Sequence, residues 1–378
     1  MKITNQRHLF DLPDEVVYFN CASQSPQLKE ITRIGQIGVG RKARPWLLST
    51  EERLEVVETA RGLFGQLVGA KAEEIAIIPS VSYGIAIAAS NLQIGPDQQI
   101  LMVEEEFPSD VYPWRELAKL KGASIVTVKR PADFDWTGAV LAQIGQNTAV
   151  VTVPNCHWTD GSLIDLKRVG QRAREVGAAF VIDATQSAGA YPLDIKEIQP
   201  DFLVAAAYKW LLGPYSLAFL YVSPTRWQGL PIEHGWFNRA GSEDYSQVAN
   251  YRDDYRDGAR RFDVGERSDY LLLPMANVAL RQILDWGVEN IAARLGELTG
   301  IIENGLAQAS FSAVPAARRV PHIIGLRPKN IAVGELVAKL AAQKIFVSLR
   351  GQVLRISPHL YNTEKELEQF LAVLAEGH

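Results

Sequence analysis

Asp183 and Lys209 are the residues whose placement could do chemistry, because each closes an apolar run. AAFVID ends in Asp183, and DFLVAAA (201–207) delivers Tyr208 and Lys209. Short apolar runs bounded by turn signals read as buried strands of a parallel sheet. A carboxylate at one strand end and a lysine at another suit a crevice site, since open α/β sheets bind ligands there. An ammonium is expensive to bury, so a lysine held there would have a lowered pKa and serve as nucleophile and proton carrier. The spacing alone is equally served by a lysine just past a strand end with its charge in water.

The elements that must position this pair extend in both directions. After Lys209, WLLGP breaks at Gly213-Pro214, and LAFLYV follows as a third strand. Glu51 to Leu67 shows helical spacing and stops at Gly69. EIAIIPS then runs into Ser80-Val81-Ser82-Tyr83-Gly84 and IAIAASNL. Strand, small polar turn and helix is the geometry in which free backbone N–H groups and the helix dipole hold a phosphate. Val81 and Ser82 are the candidates there. Gln98 to Trp114 reads as a strand followed by a loop carrying Phe107 and Asp110. Ala149 to Leu166 reads as a buried strand, a polar loop with His157, Trp158 and Thr159, and the start of a helix. VVYFNCASQSPQL (16–28) is a short strand entering a Pro-stopped turn, with Asn20, Ala22 and Ser23 at its polar end. Residues 227–267 form a long Tyr-, Arg-, Asp- and Gly-rich loop. Beyond it lie two helices (Tyr270 to Ala309), then HIIGL, VGELVAKLAAQ, IFVSLR, VLRISPHLYNT and EKELEQFLAVLAEG, a run of strands and helices that fits an α+β unit.

Composition narrows the class. The 378 residues can bury a large core and suit two domains. A chain 47% apolar and 22% charged is ordinary for a globular enzyme, and a net charge of −4 gives no reason to expect nucleic acid or an acidic membrane as partner. The opening residues lack the apolar core of a signal peptide, and Cys21 and Cys156 make neither a metal-ligand spacing nor a disulfide framework. A reducing cytoplasm is the expected setting.

Taken together, DATQ (Asp183, Gln186), YKWLLGP (Tyr208, Lys209, Gly213, Pro214) and LRISPHLYNT around Arg355 resemble the class V aminotransferase branch of the fold-type I pyridoxal-phosphate enzymes. That branch holds cysteine desulfurases, kynureninases and isopenicillin-epimerase-like proteins. The resemblance implies an α/β fold: a large domain with a mostly parallel seven-stranded sheet (15–255), and a smaller α+β C-terminal domain (256–378) on which residues 1–14 pack. It implies pyridoxal 5'-phosphate as cofactor and Lys209 as the Schiff-base lysine. Asp183 becomes the partner of the pyridine nitrogen, and Gln186 stands near the ring's phenolic oxygen. It places the phosphate at Val81 and Ser82 with Tyr208 replacing a histidine, Phe107 against the ring, and Thr159 at the ring oxygen. Arg355 would bind the substrate carboxylate, with Arg350 a second candidate and Asn20 and Ala22 beside it.

Two positions depart from the family pattern. Glu266 stands where a threonine donates to the phosphate of a partner subunit, so Ser268 is the substitute candidate in an expected homodimer. His157 either faces substrate as an acid or base or bonds only to its own loop. Only GQV separates Arg350 from Leu354, which leaves no room for the loop cysteine of a thiol-relay desulfurase. The expected activity is therefore a class V aminotransferase acting on a small α-amino acid. A lyase or hydrolase (C–S or kynureninase-like) is the runner-up and an epimerase the third reading. A binding-only protein on the same fold would be marked by loss of Lys209 or Asp183, and both are present.

Overall fold

The computed structural model describes residues 3–306, 311–329 and 332–375. The outermost residues of the two expected domains (1–2, 376–378) and the end of the second expected C-terminal helix (307–309) lie outside them. The first part of the chain forms β1 (Val17–Tyr18), α1 (Lys29–Lys42), α2 (Thr50–Val68), β2 (Ile75–Ile78), α3 (Val81–Asn91), β3 (Gln99–Val103) and α4 (Pro108–Lys121). It continues with β4 (Ser124–Val128), α5 (Trp136–Gln143), β5 (Thr148–Pro154), α6 (Leu166–Glu175), β6 (Ala179–Asp183), α7 (Ile195–Ile198), β7 (Phe202–Ala206) and β8 (Ala218–Val222). After the long loop come α8 (Leu272–Trp286), α9 (Val288–Gly305), β9 (Phe311–Ala313), β10 (Ile324–Pro328) and α10 (Val333–Ala342). The chain closes with β11 (Ile345–Phe346), β12 (Ser348–Arg350), β13 (Val353–Ile356) and α11 (Glu364–Ala375).

Seven strands form the central sheet in the order β2-β8-β7-β6-β5-β3-β4, with β8 antiparallel to both neighbours and the others parallel. Every residue of β5, β7 and β8 is buried, as unbroken apolar runs require when helices cover both faces. Each buried Val, Leu or Phe contributes roughly 1.5–3 kcal/mol. α3 lies close on this sheet: a Cβ at Gly84 would come within 2.8 Å of Ile78 Cδ1 and 2.9 Å of Val204 Cγ2. Any larger residue would push the N-terminus of α3 away from the neighbouring strand ends.

The second sheet is antiparallel, in the order β12-β13-β10-β9. The N-terminal segment is stitched to this part of the chain, since β1 pairs with β11, Gln6 N donates to Leu360 O at 2.8 Å, and Arg7 pairs with Glu366 at 2.7 Å. The long loop is held at Asp263, which accepts from Ile77 N at 2.9 Å and pairs with the buried Arg61 and Arg267.

Two local expectations are corrected. The loop after β3 is a helix from Pro108, because a proline suits a helix's first position, and it continues through Pro113, which lies inside the helix and withholds one backbone hydrogen bond without ending it. IFVSLR is two strands rather than one, since Ile345–Phe346 pairs with β1 whereas Ser348–Arg350 pairs with β13.

Candidate active site

The carboxyl ends of the like-directed strands supply the polar side chains. Ser80 to Ser82 follow β2, Glu106 and Phe107 follow β3, Trp158 follows β5, Asp183 ends β6, and Tyr208-Lys209 follow β7. Of these, Ser80, Val81, Ser82, Phe107, Asp183, Tyr208 and Lys209 line a cavity of about 290 Å³, and Glu106 and Trp158 line a narrow neck that shares Phe107, Asp183 and Lys209 with it. At its α3 end Ser80 is the N-cap, accepting from Tyr83 N at 3.3 Å, and the Ser80 and Ser82 hydroxyls lie 3.0 Å apart. The first N–H groups of a helix have no partner within it, so Val81 and Ser82 offer free donors at the positive end of the dipole.

Lys209 is only 7% exposed, with Nζ 5.3 Å from the Phe107 ring centroid and 5.5 Å from that of Tyr208. Burial pulls its pKa down to about 8; the Asp183 carboxylate opposes this, and Arg355 and Arg350 reinforce it. Asp183 accepts from Thr185 N at 2.8 Å. Gln186 is aimed by two bonds, donating to Ala22 O at 3.0 Å and accepting from Trp210 Nε1 at 2.8 Å, and it lines a narrow neck together with Asp183 and Lys209. Burial raises the carboxyl of Glu106 to about 8, and burial together with Asp183 and Glu106 raises that of Asp110.

A second cavity, also about 290 Å³, opens on the other side of Lys209 between Ala22, Ser23, Trp158, Arg350 and Arg355. Arg355 is 1% exposed and donates to Ser348 Oγ (3.2 Å), Trp158 O (2.6 Å) and Ser23 Oγ (2.7 Å). Burial and the neighbouring Arg350 lower its pKa to about 9. Such a buried cation calls for an anion.

Four expected site residues lie elsewhere or are engaged. His157 is not substrate-facing: it is wholly buried, stacks on Trp136 at 5.2 Å, and its Nε2 and Nδ1 pair with Glu104 O and Thr159 Oγ1. Burial lowers its pKa, so it stays neutral. Thr159 is spent in the same knot, its Oγ1 also accepting from Arg130 at 3.2 Å. Asn20 stands outside the cavity; its carbonyl accepts from Ser23 N at 3.0 Å and so shapes the turn that presents Ser23. Ser268 lies apart from both cavities, its hydroxyl buried without a partner among the described residues, while Gly265 N is taken by Glu233 at 2.6 Å.

Glu106, Trp158 and Tyr215 line the site without having been singled out for it. Glu106 was hidden in a run of three glutamates, where only its position one residue before Phe107 distinguished it. Trp158 sits between two residues that turn inward, and nothing in the local pattern says which of the three faces the cavity.

The pattern that describes aminotransferase class-V proteins matches residues 47–370. The chain belongs to that family. An uncharacterised aminotransferase of Bacillus subtilis, YcbU, is 28% identical over 86% of this chain and 85% of its own length. An isopenicillin N epimerase of Streptomyces clavuligerus is 24% identical over 96% and 95%, and a kynureninase of Bacillus thuringiensis 25% identical over 87% and 78%. Among solved structures, the cystine C–S lyase C-DES shares the fold at a TM-score of 0.86 and 19% identity, covering 95% of this chain and 97% of that one. A cysteine desulfurase of Thermococcus onnurineus matches at 0.83 and 21% identity, covering 98% and 96%. The class V chain thus has the fold-type I architecture and is an enzyme of the pyridoxal-phosphate class. The donor set fits pyridoxal 5'-phosphate: free helix N–H groups for a phosphate, a carboxylate for a pyridinium, an aromatic wall and a desolvated amine all line one cavity.

Proposed function

We propose that the enzyme transfers the amino group of a small α-amino acid, with Lys209 as the covalent and proton-carrying residue. The observation that carries this reading is the place of Lys209: buried, lowered to about 8, and lining both the cofactor-sized and the arginine-lined cavities. When bound, pyridoxal 5'-phosphate supplies the electron sink for charge developing at the substrate Cα. The N–H groups of Val81 and Ser82 with the Ser82 and Tyr208 hydroxyls hold the phosphate, Asp183 holds the ring nitrogen, and Phe107 and Gln186 fix the ring's face and edge. Arg355 binds the substrate α-carboxylate through its guanidinium fork. The Lys209 amine, whose pKa of about 8 leaves part of it neutral near neutral pH, takes the proton from Cα and returns it.

A lyase or hydrolase is the second reading. It is favoured by Tyr208, whose hydroxyl burial keeps protonated and which lines both cavities, a suitable acid for a leaving group. A thiol relay is not part of either reading. The β12–β13 hairpin turns in two residues with Gly351 at φ +58°, and both cysteines are buried with raised pKa values.

A homodimer belongs to the proposal. Tyr215, which lines the cofactor cavity, is 64% exposed, Tyr112 on α4 is 61% exposed, and Tyr251 is 92% exposed on the long loop, areas a second copy would cover.

The test is the visible absorbance of purified protein, wild type against Lys209→Ala, before and after an amino-acid panel. A Lys209-dependent band that is lost as a keto acid appears supports transamination. Release of pyruvate or alanine with the band restored supports the second reading. No band in wild type would sink both.

A further inference from the structure

Three cations, Lys209, Arg350 and Arg355, line the second cavity. Among the described residues no carboxylate lines it or pairs with either guanidinium. Arg350 and Arg355 occupy one face of the β12–β13 hairpin as diagonal neighbours, because Arg350 pairs with Val353 and Arg355 with Ser348. Diagonal positions stand roughly 7–8 Å apart, so the two side chains start well separated. Both converge on one atom: Ser23 Oγ accepts from Arg350 Nη2 at 2.8 Å and from Arg355 Nη2 at 2.7 Å. A hydroxyl has two acceptor lone pairs, and both are used.

Each guanidinium keeps unspent donors. Of the five on an arginine, Arg355 spends three, on Ser348, Trp158 and Ser23. Arg350 spends two, on Leu349 O and Ser23, and its buried Nε has no partner. An α-carboxylate on Arg355 satisfies one fork and leaves the other cation unpaired.

We infer that the substrate is an amino-dicarboxylic acid, its α-carboxylate on Arg355 and its side-chain carboxylate on Arg350. This rests on the amino-acid reading above and narrows it. A cavity of about 290 Å³ suits a side chain of a few carbons, and Trp158, with Arg350 5.7 Å from its ring, supplies an apolar wall for the methylenes.

Calorimetry on the cofactor-free protein with succinate, glutarate, acetate and propionate reads the arginine pair independently of Lys209. Absorbance titration of the cofactor-loaded protein with L-aspartate, L-glutamate and L-alanine then reads the complete site. Dicarboxylates are expected to bind at least about tenfold tighter than monocarboxylates, the worth of one added charge-assisted contact. Arg350→Gln should shrink that ratio by about tenfold or more, and Arg350→Lys should retain part of it. Equal affinities, or a ratio unmoved by Arg350→Gln, overturn the inference. If the ratio holds while no cofactor band forms, the cofactor reading fails and the anion inference stands. If the band forms and responds alike to alanine and glutamate, the inference fails and the cofactor reading stands.

Discussion

Asp110 lies buried within reach of Asp183, yet neither of its carboxyl oxygens has a hydrogen-bond partner among the described residues. Two ionised carboxylates are acceptors only and repel each other, whereas a proton on Asp110 makes it a donor. Burial and the charges of Asp183 and Glu106 act in that direction. The folded protein therefore binds a proton at Asp110 that the unfolded chain has lost above its ordinary carboxyl pKa. Stability falls as pH rises through the interval between those two values. Asp110→Asn removes this penalty and keeps the shape, so it should stabilise by about 1–3 kcal/mol at neutral pH. Urea denaturation of both proteins at acidic and neutral pH decides it; parallel pH slopes would sink the idea.

Lys209 is the second titrating group of the site. With its pKa near 8, the neutral amine grows as pH rises through that value. Capture of added pyridoxal 5'-phosphate by cofactor-free protein should accelerate with pH and level off above it, as followed by stopped-flow absorbance. Asp183 raises this pKa and Arg355 lowers it. The midpoint should therefore move down in Asp183→Asn and up in Arg355→Gln. A midpoint unchanged in both variants would contradict the electrostatic account.

His322 and His359 are wholly buried, and burial depresses them to about 4 and about 3. His322 Nε2 pairs with Gln186 O at 2.6 Å, while neither ring nitrogen of His359 has a partner among the described residues. Both stay neutral in the fold but charge in the unfolded chain below about pH 6.5. Their contribution is complete above that pH and is lost as pH falls, about 2 kcal/mol for each histidine by pH 5. His359→Phe should lose less stability than wild type between pH 7 and pH 5 in urea titrations.

Asp263 ties the long loop to the edge strand next to the phosphate turn. It is wholly buried between Arg61 and Arg267 and also bonds Ile77 N at 2.9 Å. Asp263→Asn keeps the bond to Ile77 but leaves the buried Arg267 without its anion and Arg61 with only the part-exposed Glu58 at 3.1 Å, at an expected cost of about 3–5 kcal/mol. Thermal unfolding measures this directly. A loss below about 1 kcal/mol would mean that water reaches the cluster.

The strand-end chemistry was legible in the chain itself. Asp183, Lys209 and the Ser80–Gly84 turn each sit where an apolar run stops, and apolar periodicity is a local property that neighbouring residues encode. Arg355 was likewise marked by its own short motif. The loop after β5 shows the limit of such reading. His157, Trp158 and Thr159 are consecutive, yet only Trp158 lines the site, because Trp136 and Arg130 from other elements capture its two neighbours. The convergence of Ser23, Arg350 and Arg355 was beyond the sequence for the same reason. Each position follows from local pattern, but their meeting depends on β1 pairing with β11 and on the register of β12 with β13. The state of Asp110 also came from packing, since burial and a neighbouring carboxylate, not the residues beside it in the chain, hold its proton. Local composition determines which elements form and which side chains end them; long-range packing alone decides which of those side chains share a cavity and with what charge.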